Sequence, residues 1–178
     1  MRAAVAAAVA SGTVIAAALL AGCGPGPVSG DAEAAGVAAG EPVFSPCDDI
    51  PDEVLRGIGV DPATESRDIL GVKQPGWNIC KWMGGGPALS VFATTYTLDD
   101  IRAKDGNGEF ADIEIGGRPA FTYRVDSDLD RRDCDVAVES AEGAVLVSVA
   151  NVGVDPVAED PCATAVRRAT GLMAYIPE

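Results

Sequence analysis

Five cysteines and no histidine set the side-chain chemistry open to this chain. The first, Cys23, follows Leu20-Ala21-Gly22, where an apolar N-terminal run gives way to Gly, Pro and Ser. That junction has the form of a bacterial lipobox, at which the cysteine sulfur is acylated and the residue becomes the new N-terminus. Arg2 supplies a minimal positive region, and Ala3–Leu20 supply the apolar stretch that a secretory signal places before a small-residue cleavage site. A retained membrane helix fits less well. The run is mostly Ala, is broken by Ser11-Gly12-Thr13, and is followed by no basic residue before Arg56, whereas a stop-transfer helix leaves positive charge on its cytoplasmic side. The expectation is lipidation at Cys23, a lipid-anchored position on the extracytoplasmic face of the cell membrane, and folding in an oxidising space.

Cys47, Cys80, Cys134 and Cys162 then form an even set in an exported chain, which reads as two disulfides. No two are spaced C-x-x-C, so neither a redox motif nor a zinc knuckle is supported. The absence of histidine removes the commonest general base and metal ligand together. No cofactor and no metal are expected.

Carboxylates are the remaining reactive groups: 27 Asp+Glu face 13 Lys+Arg, for a net charge of −14. Such a charge disfavours nucleic acid, itself a polyanion, and it also serves simply to keep a tethered protein soluble. Asp126-Ser127-Asp128-Leu129-Asp130 imitates the start of a calcium loop, but Arg131 stands where the sharp turn needs Gly and Ala137 where the loop needs Glu. Gly84-Gly85-Gly86-Pro87 lacks the Gly-Lys-Ser/Thr ending that cradles phosphate and reads as a turn. There is no G-x-S-x-G elbow. Nothing nominates one carboxylate pair for glycosidase-like acid and base work.

The elements that must hold these residues follow from periodicity. Residues 1–22 read as signal, 23–43 as a flexible Gly/Ala/Pro tether, and 44–178 as one folded domain. About 20 residues of Gly-rich coil reach about 25 Å r.m.s.. Ser45-Pro46-Cys47-Asp48-Asp49 opens a helix, with Ser45 as its cap, Pro46 at the first helical position, and Ile50, Val54, Leu55 and Ile58 on one side of it. Asp61–Gly76 reads as polar loop with a short extended piece. Strands are expected over Trp77–Met83 and Leu89–Tyr96, then a short helix capped by Thr97. Two hairpins follow, one on Gly116-Gly117 and one on Glu142-Gly143, and then a closing helix opened by Asp160-Pro161. The sum is an α+β domain: an antiparallel sheet of about six strands, with the N- and C-terminal helices on one face. Pairing Cys47 with Cys80 and Cys134 with Cys162 would clamp each of those helices to a strand start. The strands of Cys80 and Cys134 being neighbours is the alternative. Trp77, Trp82, Phe92 and Tyr96 concentrate on two adjacent strands, either as a ligand platform or as core and disulfide cover.

The arrangement resembles the DUF3558-type envelope lipoproteins of actinobacteria. The residues that carry the resemblance are the lipobox, Ser45-Pro46-Cys47, Cys80-Lys81-Trp82, Ile115-Gly116-Gly117-Arg118-Pro119-Ala120, Cys134-Asp135-Val136-Ala137-Val138, Asp160-Pro161-Cys162 and Ile176-Pro177. They run through nearly all of the mature domain, with the four-cysteine frame as the most specific part. The resemblance implies a lipid-anchored α+β domain and brings no catalytic residues with it.

The expected function is a non-catalytic binding or accessory module for a membrane-proximal protein or an amphiphile, held at the membrane by its N-terminal lipid. A carboxylate-dependent hydrolase and a purely structural surface protein are the alternatives. A deep apolar pocket beneath the sheet would favour amphiphile binding. A polar cleft with two facing acids of raised pKa would favour the enzyme.

Overall fold

Alternating apolar residues build a central sheet whose two faces are finished differently. A computed structural model of the chain describes residues 40–178 apart from Gly85 and Val154. The lipobox, Cys23 and the tether up to residue 39 lie outside the described residues. The elements are α1 (Pro46–Asp49), α2 (Asp52–Gly57), β1 (Asp61–Arg67), β2 (Trp77–Met83), β3 (Ala88–Thr94), α3 (Leu98–Ala103), β4 (Asn107–Ile115), β5 (Arg118–Val125), β6 (Asp133–Ser140), β7 (Gly143–Ala150) and α4 (Pro161–Leu172). Among the described residues no helix is long and apolar enough to cross a membrane.

The strands form one antiparallel sheet in the order β1-β2-β3-β7-β6-β5-β4. Two meanders, β1–β3 and β4–β7, therefore meet at the centre, where β3 pairs with β7. The period-2 pattern sorts the side chains. Val145, Val147 and Val149 of β7, Val136 and Val138 of β6, Leu89 and Val91 of β3, and Trp82 of β2 all point to one face. There they are covered by Leu55 of α2 and by Ala165, Ala169 and Leu172 of α4. Trp82, Leu89 and Leu172 have no exposed surface. Burying each such side chain contributes about 2–3 kcal/mol.

Two disulfides staple the helices to this face. Cys47–Cys80 joins α1 to β2 with Cα atoms 5.3 Å apart, and Cys134–Cys162 joins β6 to α4 at 5.0 Å. Loops of 33 and 28 residues are closed, which corresponds to about 3–4 kcal/mol each from restricted unfolded-chain entropy. The strands of Cys80 and Cys134 are not neighbours, since β3 and β7 lie between them.

Four local features depart from the sequence reading. The sheet has seven strands, because the polar stretch after Val60 contributes β1 along the edge. Both faces of β1 are largely exposed and its register with β2 shifts between Asp61 and Ser66, so no apolar alternation announces it. Its Pro62 is tolerated because an edge strand need not donate every backbone bond. The first helix is broken in two at Ile50, which is extended (φ −94°, ψ 115°). Pro51 disfavours helical geometry in the residue before it. Ser45 does not cap through its hydroxyl: its Oγ donates to Asp48, and its N–H donates to Asp49 at 2.7 Å. Finally, α3 packs on the sheet face opposite the other helices, through Ile101 and Leu98 against Phe121, Ala137 and Leu146.

Other local expectations are met. Thr97 and Asp100 form a reciprocal capping box at α3. The Asp160 carboxylate accepts from the Ala163 N–H at 2.8 Å at the start of α4. At Gly143 (φ +143°) a Cβ would stand 2.5 Å from the Thr94 carbonyl oxygen, so the turn between β6 and β7 admits glycine alone. Beyond α4 the chain is gathered by Arg118, whose guanidinium donates to the carbonyls of Pro177 at 2.5 Å, Ile176 at 3.1 Å and Met173 at 3.4 Å. That contact gives a physical role to the Gly-Gly-Arg-Pro and terminal Ile-Pro segments.

Candidate functional site

Opposite the stapled helices, the second face of the sheet is only partly covered. α3 shelters its middle, and beside α3 lies a cleft of about 380 Å³. Its floor is made by side chains of alternate parity to the core: Ile79 of β2, Phe92 of β3, Leu146 of β7, Asp135 of β6 and Tyr123 of β5. Ile79, Phe92 and Leu146 sit directly opposite one another across three strands. Two residues along each strand, on the same face, runs a polar row, Lys81–Ser90–Ser148–Asp135–Tyr123, also paired strand to strand. Asp135 and Tyr123 of this row reach the cleft floor, which therefore turns from apolar to polar along the strands.

One wall is the loop between β1 and β2, with Ile69, Gln74 and Pro75 lining the cleft, continued by Trp77 at the start of β2. Three large apolar residues at its tip face solvent: Ile69, Leu70 and Val72 are 52, 96 and 61% exposed. The loop holds Asp68 (φ 61°) and Leu70 (φ 54°) in the left-handed region, which costs about 1–2 kcal/mol for a residue with a Cβ. It is braced from below. The Glu41 carboxylate accepts from the Gly76 N–H at 3.0 Å and pairs with Lys73 at 3.1 Å, and Asn78 donates to the carbonyls of Pro42 and Phe44. The chain leaving the tether thus supports the cleft wall. The other wall is the turn after α3, with Lys104 and Asn107, together with Val125. Asn107 is fixed by donating to the Ile101 carbonyl at 2.9 Å.

The aromatic residues fall into two groups flanking the cleft. Trp77 meets Phe92 edge-on at 6.3 Å and Tyr96 at 5.7 Å. Tyr123 packs on Phe110 and Phe121 at 6.0 and 5.7 Å, and Arg102 lies over Phe121 at 4.0 Å. Of the four aromatics singled out in the sequence, Trp77, Phe92 and Tyr96 share this face. Trp82 does not: it is fully buried among the helices on the other side. Residues 77 and 82 differ in parity on one strand, so strand geometry separates them.

Asp135 carries the electrostatics of the cleft. Burial pushes its pKa up to about 6; Asp133 and Asp128 push the same way, while the Ser148 hydroxyl and the Lys104 ammonium partly oppose the rise. No Lys or Arg among the described residues lies within ion-pair distance of it. Burial first, then the Asp135 charge, raises the Tyr123 phenol far above its ordinary range. Asp133, two residues from Asp135, is also raised by burial. It lines a separate depression with Asp128, Arg132 and Asn151 rather than the aromatic cleft.

The remaining acidic features serve the fold. The Asp128 carboxylate accepts from the backbone N–H groups of Arg132 at 2.8 Å and Asp133 at 3.0 Å and meets the buried Arg124 at 3.4 Å. The loop that imitates a calcium site is thereby folded on its own backbone. Cys47, Glu65 and Cys80 bring three potential metal-ligand atoms together, but both sulfurs belong to a disulfide and offer no thiolate. Asp135 was open to detection in the sequence, because it alternates with Cys134 and Val136 and must face away from the core. The loop wall carried no such pattern.

No curated protein and no solved structure matches the chain. A family model does, over residues 18–175. The chain belongs to the family described as protein of unknown function, DUF3558.

Proposed function

We propose that this chain is an envelope lipoprotein, anchored through Cys23 on the extracytoplasmic face, whose cleft binds an amphiphile at the membrane surface without chemical turnover. The observation that carries the reading is the aromatic-lined cleft of about 380 Å³ with an apolar loop tip at its mouth. Ligand sites are typically concave, mostly apolar and supplied with a few polar groups. Exposed apolar patches on an otherwise acidic surface mark contact with apolar matter. Anchoring at the bilayer raises the effective concentration of the cleft there.

The anchor is tested by fractionation and intact mass. Cys23→Ala should release the chain from membranes or leave it unprocessed, and an unmodified Cys23 in the membrane fraction would refute the anchor. The cleft is tested by Trp77→Ala, which should abolish uptake of a soluble amphiphile and leave the fold intact. A carboxylate-dependent hydrolase is the second reading, favoured by the raised pKa of Asp135. Turnover of an ester or glycoside that vanishes in Asp135→Asn would establish it in place of binding.

A further inference from the structure

The amphiphile reading leaves the ligand's head group open, and the polar half of the cleft floor narrows it. Asp135 places one carboxylate on that floor, beside the Tyr123 ring and opposite Ser148. It has no ion-pair partner among the described residues, so the cleft presents an acid whose countercharge is missing. Lys104, the basic residue among those lining the cleft, is exposed on its rim. Trp77, Phe92 and Tyr123 surround the same space, and aromatic faces attract cations through their quadrupole. The chain as a whole, at −14, draws cations toward its clefts and repels anions. A carboxylate or phosphate head group would have to lie against Asp135, and a neutral one would leave the acid unpaired.

Building on the amphiphile reading, we propose that the cleft selects a protonated amine carried on an apolar body, with Asp135 as its counter-ion. The apolar body lies along Ile79, Phe92 and Leu146, and the ammonium donates to the Asp135 carboxylate under the aromatic rings. The apolar row and the polar row are successive rows on the same face, two residues apart along each strand, so one small molecule spans both.

Three probes of one body separate the head groups: 4-phenylbutylamine, 4-phenylbutanol and 4-phenylbutyrate. They are titrated calorimetrically into the full lipidated chain in nanodiscs, with empty nanodiscs as baseline. The amine should bind at least about tenfold more tightly than the alcohol, the worth of one charge-assisted hydrogen bond in a partly buried site, and the carboxylate should bind weakest. Asp135→Asn should erase the amine's advantage while leaving the alcohol within about twofold of its original affinity. Lys104→Ala, at an exposed rim position, should move the amine the other way, toward tighter binding. Equal affinity for all three probes, or an amine preference that survives Asp135→Asn, overturns the head-group assignment and leaves the amphiphile cleft standing. Binding of none of the three overturns the cleft reading, and this inference with it.

Discussion

The two faces of the sheet are made from the same strands and differ in almost everything else. On the helix face, odd residues of β7 and even residues of β6 interlock with α2 and α4 under two disulfides, and no polar partner is asked of them. On the cleft face, the neighbouring positions carry Ser148, Asp135, Tyr123 and Lys81, and a loop with residues in the left-handed region stands over them. One face accounts for stability. The other holds a half-buried acid whose pKa is raised by burial and a loop with residues in the left-handed region, both of which cost stability. Backbone strain and partly offset burial of charge cluster at functional sites because a binding surface must hold groups that folding alone would discard. The stapled face supplies the surplus that makes this tolerable.

Substitutions on the helix face should give the largest losses. Trp82→Ala removes a fully buried side chain from the centre of the core and should cost about 3–5 kcal/mol, read as a fall in the urea midpoint with an unchanged slope. A loss below about 1 kcal/mol would show that this face is not the main source of stability. Replacing Cys134 and Cys162 together by Ala should cost about 3 kcal/mol, and the midpoint should then become insensitive to reductant at that bridge. Cys47 and Cys80 should behave alike, since their loop is of similar length.

The cleft face should respond with the opposite sign at its acid. The Asp135 pKa is raised in the folded chain from 3.8 to about 6, so the folded state holds more protons than the unfolded one between those values. Stability from this group is greatest below about pH 4, falls as pH rises through that window, and is flat above it. Asp135→Asn cannot ionise. It should match the parent near pH 4 and exceed it by about 1–3 kcal/mol at pH 7. Thermal melts at the two pH values measure the difference. An Asn variant less stable than the parent at pH 7 would mean that Asp135 is a structural ligand of the sheet.

The smallest stability change belongs to Trp77→Ala, at about 1 kcal/mol or less for a partly exposed aromatic at the sheet margin. Its effect on amphiphile binding should nevertheless be large. A destabilisation as great as that of Trp82→Ala would erase the distinction between the faces.

What could be read from the sequence follows the same division. The helix face was legible because it is written in period 2 and period 3.6: Val145, Val147 and Val149 against Ala165, Ala169 and Leu172, with the cysteines marking where helices meet strands. The cleft face was not, for two physical reasons. Its wall is a loop whose shape depends on a few residues with positive φ and on distant contacts from Glu41 and Asn78, which leave no periodic trace. Its floor depends on register across five strands, and register is set by pairing. The edge strand β1 was missed because it is polar on both sides. The separation of Trp77 from Trp82 was present in their spacing all along, and parity alone divides the aromatic set into core and cleft.

The central claim, that the uncovered face is the binding face, is tested most directly by residue-resolved NMR. Amide shifts of the folded chain are followed while 4-phenylbutylamine is added. Saturable shifts should be confined to the loop of residues 69–76, to Trp77, Phe92, Tyr123, Asp135 and Leu146, and to the turn after α3. Shifts centred on α4 and the disulfides, or no saturable shifts on either face, would contradict it.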